Sequence, residues 1–341
     1  MKKILVILAL FTVLIACKNQ DYDFPDYIYT AAYFPYQYPV RTLVLGDYIF
    51  DNTMDNNHKC LISADFGGVY ENKMDRVIDF EVYESLCDSV LFESTKDTIR
   101  LMPASYYSLS SSEKIIIPAG KFNGSIEVQL NDAFFNDTLA YRLGYVIPLR
   151  IVGSTDVDSI LRGKTNKVNP DPRNVKQWDI VPKDYTMFAV KFINPYHGKY
   201  LHRGVSLIKN VSNAVIETNP YRTPFIVDNE IWSLLTTGKN QVSVTGSLHS
   251  TKVPPGPFKM LLTFSDDGNC TITQGKGSVY TITGNGKFST GADTWGNKKR
   301  DAIHLNYSFS NGVNTYNATD TLVLRDRAVV LQVYKPTLIP K

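Results

Sequence analysis

The residues best suited to ligand chemistry lie in Thr290-Gly291-Ala292-Asp293-Thr294-Trp295-Gly296-Asn297-Lys298-Lys299-Arg300, where an indole stands in a polar, glycine-flanked segment. Sugars present apolar C–H faces that stack on flat rings, and Asp293 and Arg300 can hydrogen-bond their hydroxyls. Two readings of Trp295 stand side by side: its ring faces solvent and takes a ligand, or it plugs one end of a β-barrel. Asp293 and Arg300 correspondingly bind hydroxyls or simply solvate the loop. Trp232 with Tyr221 makes a second aromatic candidate, and Trp178 reads as an anchor between domains. The 21 Tyr and 17 Phe decide nothing by abundance, because a β protein of this size needs most of them in strands and core.

Signals for catalysis are missing. Glycoside hydrolysis needs two carboxylates held about 5 to 10 Å apart across a sugar. The one adjacent acidic pair of the C-terminal half, Asp266-Asp267, precedes Gly268 and reads as a hairpin turn. No GxSxG nucleophile motif occurs, and neither Gly275-Lys276-Gly277 nor Gly284-Asn285-Gly286 precedes a helix that could cradle phosphate. His58, His197, His202, His249 and His304 show no HExxH-type spacing, so neither a zinc site nor any cofactor is expected. Binding is therefore the expectation, and a hydrolase with an unrecognised site the weaker alternative.

The N-terminus says where the chain works. Met1-Lys2-Lys3, the apolar run Ile4 to Ile15 and the small Ala16 before Cys17 form a bacterial lipoprotein signal, with Cys17 the lipidated first residue after cleavage. The apolar run is too short for a permanent bilayer helix. Processing leaves 341 − 16 = 325 residues and 34 basic against 33 acidic side chains, so the formal charge falls from +3 to +1. So balanced a surface offers no electrostatic case for nucleic acid, and membrane contact is through the lipid alone. Cys60, Cys87 and Cys270 remain; Cys60 and Cys87 either pair or stand as buried free thiols, the latter favoured by their apolar flanks.

The elements that must position these residues read as all-β. Residues 17–35 form a lipidated tether, with Pro25 and Pro35 blocking helix. Val77 to Tyr83, Lys114 to Ile117, Ser125 to Leu130 and Tyr145 to Val152 read as strands of a β-sandwich over 36–163, with Asn123-Gly124 as a tight turn. The polar, Pro-rich stretch 164–184 reads as a linker. A second domain over 185–337 opens on the alternating Tyr185 to Ile193. Further strands follow at Met260 to Phe264, Cys270 to Thr273, Val279 to Thr283, Ala302 to Phe309 and Asp320 to Arg325. Asp267-Gly268, Asn285-Gly286 and Asn311-Gly312 join them. Such a meander closes into a barrel, which removes its edges. Asp228 to Leu235 reads as one short helix.

Two sets of segments carry a family resemblance. Pro103 to Leu109, Ile115 to Gly120 and Tyr145 to Ile151 resemble the DUF1735 domain of Bacteroidetes surface lipoproteins. Asn194-Pro195-Tyr196-His197-Gly198-Lys199-Tyr200 and Asp320 to Arg327 resemble the DUF4361 domain that often follows it. The resemblance implies an immunoglobulin-like β-sandwich followed by a lipocalin-like β-barrel. It also implies an outer-membrane, surface-exposed, lipid-anchored protein of a Sus-like glycan-uptake system, beside a TonB-dependent transporter and a SusD-like lipoprotein. Lys18 with Asp21 and Asp23 resembles the surface-export signal of such lipoproteins, and Asp97-Thr98-Ile99, Asp137-Thr138-Leu139 and Asp320-Thr321-Leu322 resemble their O-glycosylation triplet. The expected function is capture of a glycan for uptake; the alternative is a docking subunit that touches no sugar.

Overall fold

The computed structural model describes Asp26 and residues 28–339; Cys17, the signal segment and most of the tether lie outside the described residues. No helix among the described residues is long and apolar enough to cross a membrane. The described residues are nearly all-β, an N-terminal sandwich followed by a closed barrel, with short α-helices only at Thr53–Asn56 and Asp132–Asn136.

One sandwich sheet orders Ser159–Ile160, Ala31–Tyr33, Lys59–Gly67, Asn123–Leu130 and Tyr107–Leu109. The other orders Gln332–Val333, Pro39–Val44, Tyr185–Ile193, Tyr145–Gly153, Arg76–Val82 and Lys114–Ile117, with Arg100–Leu101 beside Tyr145–Gly153. Period-2 alternation places Cys60, Ile62, Ala64 and Phe66 of one sheet against Ile78, Phe80, Ile115 and Ile117 of the other. Cys60 and Cys270 are buried free thiols and Cys87 is half-buried and free.

The domain boundary differs from the one expected at Tyr185. Tyr185–Ile193 runs antiparallel to Tyr145–Gly153 and parallel to Pro39–Val44, as a central strand of the sandwich. Phe188, Val190 and Phe192 face the sandwich core, while Tyr185, Met187 and Ala189 face a second cluster with Val90, Phe92 and Tyr334. A strand buried on both faces reads alike in either domain, which is why local pattern misplaced it. The 164–184 stretch is an ordered excursion of the sandwich, with Trp178 Nε1 donating to Asp171 O at 2.8 Å, so Trp178 anchors this loop and not a domain junction. Ala31–Tyr33, expected in the tether, is also a sandwich strand. Asn123-Gly124 begins a strand instead of turning a hairpin, because Lys114–Ile117 and Asn123–Leu130 belong to opposite sheets. A Cβ on Gly124 would lie 2.1 Å from Ile116 O, so glycine permits the two strands to cross closely.

Eight strands close the barrel: Gly198–Asn210, Glu230–Gly238, Gln241–Ser247, Pro257–Phe264, Asn269–Gln274, Thr283–Trp295, Lys298–Ser310 and Asn314–Asp326, the last pairing back to the first. The expected helix at Asp228 to Leu235 is a single 3-10 turn, Ile226–Asp228, followed by the strand Glu230–Gly238, whose buried Trp232, Leu234 and Thr236 alternate. Asn285-Gly286 lies within a strand and not at a turn, and Val279 to Thr283 only leads into it. Asp267-Gly268 and Asn311-Gly312 do turn hairpins, Asp267 accepting from Ser265 Oγ at 2.6 Å. The interior is filled by side chains, with Tyr200, Phe258, Phe309 and Tyr316 among the most buried.

Four residues, Asn194 to His197, join the domains. Across that junction Arg327, only 5% exposed, donates to four carbonyls: His197 O at 2.8 Å, Asp47 O at 2.7 Å, Leu45 O at 3.0 Å and Asn194 O at 2.7 Å. The two segments with a DUF4361 resemblance thus meet here, Arg327 of one binding Asn194 and His197 of the other.

Candidate functional site

The candidate residues divide among three places. Trp295 ends the strand Thr283–Trp295, whose hairpin curls over the outer barrel wall. Its ring covers Leu201, Ala302 and Val323, outward-facing residues that are fully buried, and its Nε1 donates to Leu324 O at 3.0 Å. Trp295 therefore neither plugs the barrel end nor stands free in a loop; it is half-buried packing on the wall. Asp293 pairs with Arg203 of the first barrel strand, and the Arg300 guanidinium lies over the Trp295 ring at 4.4 Å. Phe225 and Ile226 face Trp295 across a shallow groove.

Trp232 and Tyr221 belong to a polar cluster inside the barrel. Trp232 is 2% exposed and stacks on His202, with ring centroids 3.7 Å apart, so its face is closed to any sugar. His202 and Glu230 are directly paired across neighbouring strands, and Nδ1 of His202 lies 3.1 Å from Glu230 Oε2. Its Nε2 lies 2.9 Å from Asp320 Oδ2. Tyr307 donates to Asp320 at 2.9 Å, and Tyr221 also donates to Asp320. His249, from the loop after Gln241–Ser247, brings its Nε2 to 3.1 Å from the same Glu230 oxygen. A Cβ on Gly204 would lie 2.3 Å from Asp320 Oδ1, so glycine at 204 gives the cluster its room. Burial lowers the basicity of His202, but the Asp320 and Glu230 carboxylates outweigh it and raise its pKa. The hydrogen bonds from His202 and His249 hold Glu230 well below the usual carboxylate range. Asp320 sits inside this cluster, so Asp320-Thr321-Leu322 is barrel wall and not an exposed modification triplet; Thr98 and Thr138 are exposed.

The third place is a cleft of about 920 Å³ between the domains, within the size range of ligand sites. One wall is the loop Asp47 to Phe50, where Phe50 is 67% exposed and packs edge-on against Tyr48 at 5.5 Å. The facing wall comes from barrel-strand ends: Lys199, Lys298, Lys299, Arg300 and Arg325, with Asp301 and Asp326 among them. Arg327 closes the base through its carbonyl contacts. Nε of Arg300 meets no acceptor among the described residues. An aromatic platform opposite a row of donors suits a hydroxylated ligand, and the excess of Lys and Arg favours one that carries negative charge. Of the five candidates, only Arg300 lines this cleft. Phe50, Tyr48 and Lys199 were missed from sequence, although Tyr48-Ile49-Phe50 is an apolar run in a turn-rich stretch bearing no core periodicity.

A domain of unknown function, DUF5627, matches residues 195–328, the barrel, where the sequence resembled DUF4361; an N-terminal-domain model matches residues 24–158. No curated protein matches this chain. A protein of unknown function from Bacteroides ovatus, known from a crystal structure, aligns at a TM-score of 0.85 with 35% identity, covering 92% of this chain and 100% of that one. A second Bacteroides ovatus structure of unknown function aligns at 0.43 with 14% identity, covering 89% of this chain and 99% of that one. A multidomain Bacteroides ovatus protein including DUF1735 aligns at 0.40 with 14% identity, covering 87% of this chain and 94% of that one. With 35% identity over the full length of the first of these, the chain belongs to the family of that Bacteroides ovatus protein of unknown function.

Proposed function

We propose that the protein is a lipid-anchored outer-membrane protein that captures a glycan in the cleft between sandwich and barrel, without catalysing its cleavage. The observation that carries this reading is the pairing of exposed Phe50 and half-buried Tyr48 with the facing Lys199, Lys298, Lys299, Arg300 and Arg325. Phe50 stacks on a sugar face, and the cations bind hydroxyls and the carboxylates of acidic sugars. The Met1 to Cys17 signal supports the anchor, and the resemblance to DUF1735 and DUF4361 lipoproteins supports a place beside a TonB-dependent transporter and a SusD-like partner. The sandwich then acts as a spacer from the membrane. Ile49, Phe50 and Val330, more than half exposed in the same cleft, favour docking of a protein partner as the second reading.

Binding of the full chain to immobilised neutral and uronic-acid glycans, with Phe50→Ala alongside, tests the proposal. The expected result is saturable binding, strongest for an acidic glycan, weakened roughly tenfold by loss of a stacking contact worth ~1.5 kcal/mol. Silence across the panel, or binding that Phe50→Ala leaves unchanged, overturns it.

A further inference from the structure

We propose that His202, His249 and Glu230 form a binding site for a divalent transition metal ion, zinc by its ligand chemistry, at the edge of the barrel interior. The three side chains come from two adjacent strands and the loop after a third, and one donor atom from each converges, all within 4.8 Å of one another. Nδ1 of His202 and Nε2 of His249 each lie 3.1 Å from Glu230 Oε2. Tetrahedral zinc, with bonds of about 2.0–2.1 Å, holds its ligand atoms about 3.3 Å apart, close to both histidine–Glu230 separations; the two imidazole nitrogens, within 4.8 Å of each other, close to the same spacing as the ion enters.

The surroundings are those of a supported metal site. A ligating imidazole commonly donates its other ring N–H to a carboxylate, which fixes the tautomer and turns the free lone pair to the ion. Asp320 stands beside that edge of the ring, its Oδ2 2.9 Å from Nε2 of His202 but off the line of the N–H, and is itself held by Tyr221 and Tyr307. Both imidazole planes are clamped by aromatic rings, His202 by Trp232 at 3.7 Å and His249 by Tyr221 at 4.3 Å. The main chain of His249 is tied by Ser206, whose hydroxyl donates to its carbonyl. His202 is buried, whereas the side chains of Glu230 and His249 are 46% and 38% exposed, so the fourth coordination position opens to water. Two histidines and one carboxylate with an open position is a zinc donor set that exchanges its fourth ligand. The signal is absent from the sequence because residues 202, 230 and 249 obey no metal-motif spacing and meet only through strand pairing.

The test is titration of the full chain, stripped with chelator, by zinc chloride in a calorimeter and by cobalt chloride in a visible spectrometer. One equivalent is expected to bind, with a tetrahedral cobalt band. His249→Ala, at the half-buried loop ligand and so less disturbing to the core than a change at His202, is expected to remove that band and weaken zinc by at least about tenfold. Asp320→Asn, which touches no metal, is expected to weaken zinc by about 10–100-fold. Absence of a one-equivalent event in the unaltered chain, or an isotherm that His249→Ala does not change, overturns the proposal. Glycan binding in the cleft is read separately, so either proposal can fail alone.

Discussion

Replacing Arg327 by Met should uncouple the two domains. The guanidinium spends its donors on four carbonyls, two from the sandwich side, Leu45 and Asp47, and two from the linker, Asn194 and His197. Leu45 and Asn194 are themselves buried, so their carbonyls lose their partner without gaining water. Each stranded acceptor costs about 1–3 kcal/mol, and the two together give roughly 2–6 kcal/mol. The variant recovers part of this, because burying a guanidinium carries its own desolvation penalty. A net loss of about 3 kcal/mol is expected, which corresponds to roughly 6–12 °C in melting temperature for units of this size. Arg327→Lys keeps the charge but presents a compact ammonium that cannot span four carbonyls, so it should fall between. Urea unfolding followed by tryptophan fluorescence and far-UV circular dichroism measures the loss, and a gap opening between the two midpoints reports the uncoupling. Arg325→Met, at a half-exposed side chain two residues away, is the control and should stay within about 0.5 kcal/mol. An Arg327→Met protein as stable as that control would refute the reasoning, since it would mean that the buried carbonyls cost nothing.

Acid should loosen the same junction through His197. Its Nδ1 accepts from the backbone N–H of Thr236 at 3.1 Å, and burial, then Arg327 and Lys191, push its pKa down from 6.5 to about 4. The unfolded chain therefore binds the extra proton between those values. The contribution is complete above pH 6.5, declines as the pH falls towards 4 and amounts to at most ~3 kcal/mol. Unfolding midpoints at pH 7, 5.5 and 4 should drop more steeply for the unaltered chain than for His197→Gln; parallel slopes would remove His197 as the cause. Trp295→Ala should destabilise by roughly 2 kcal/mol, because the ring shields Leu201, Ala302 and Val323 and is itself half-buried. Urea midpoints check this, and an unchanged midpoint would return Trp295 to the ligand candidates.

Much of the architecture was legible because strand alternation and turn chemistry are local properties. Asp267-Gly268 and Asn311-Gly312 turn where the sequence places turns, and Ile126, Val128 and Leu130 alternate inward along a strand the sequence places there. Errors arose where a local signal has two tertiary meanings. Asn123-Gly124 and Asn285-Gly286 carry the same turn-like pair, yet both lie in strands, where their glycines admit backbone or side-chain atoms of a neighbouring strand. Trp295 was singled out for its polar surroundings, and it is partly covered because outward-facing Leu201 and Val323 need shielding.

By itself the sequence determined an all-β chain, a sandwich ahead of a barrel, a balanced charge and residues suited to stacking and hydrogen bonding, since period, turn residues and composition are written along the chain. Only the tertiary structure decided which strands share a sheet, and so brought Tyr185–Ile193 into the sandwich and Arg327 under the linker. The same folding set Phe50 opposite Lys299 across a cleft and joined His202, Glu230 and His249 at one point. Those meetings depend on strand register and barrel closure, which link residues far apart in the chain and leave no mark on the spacing between them.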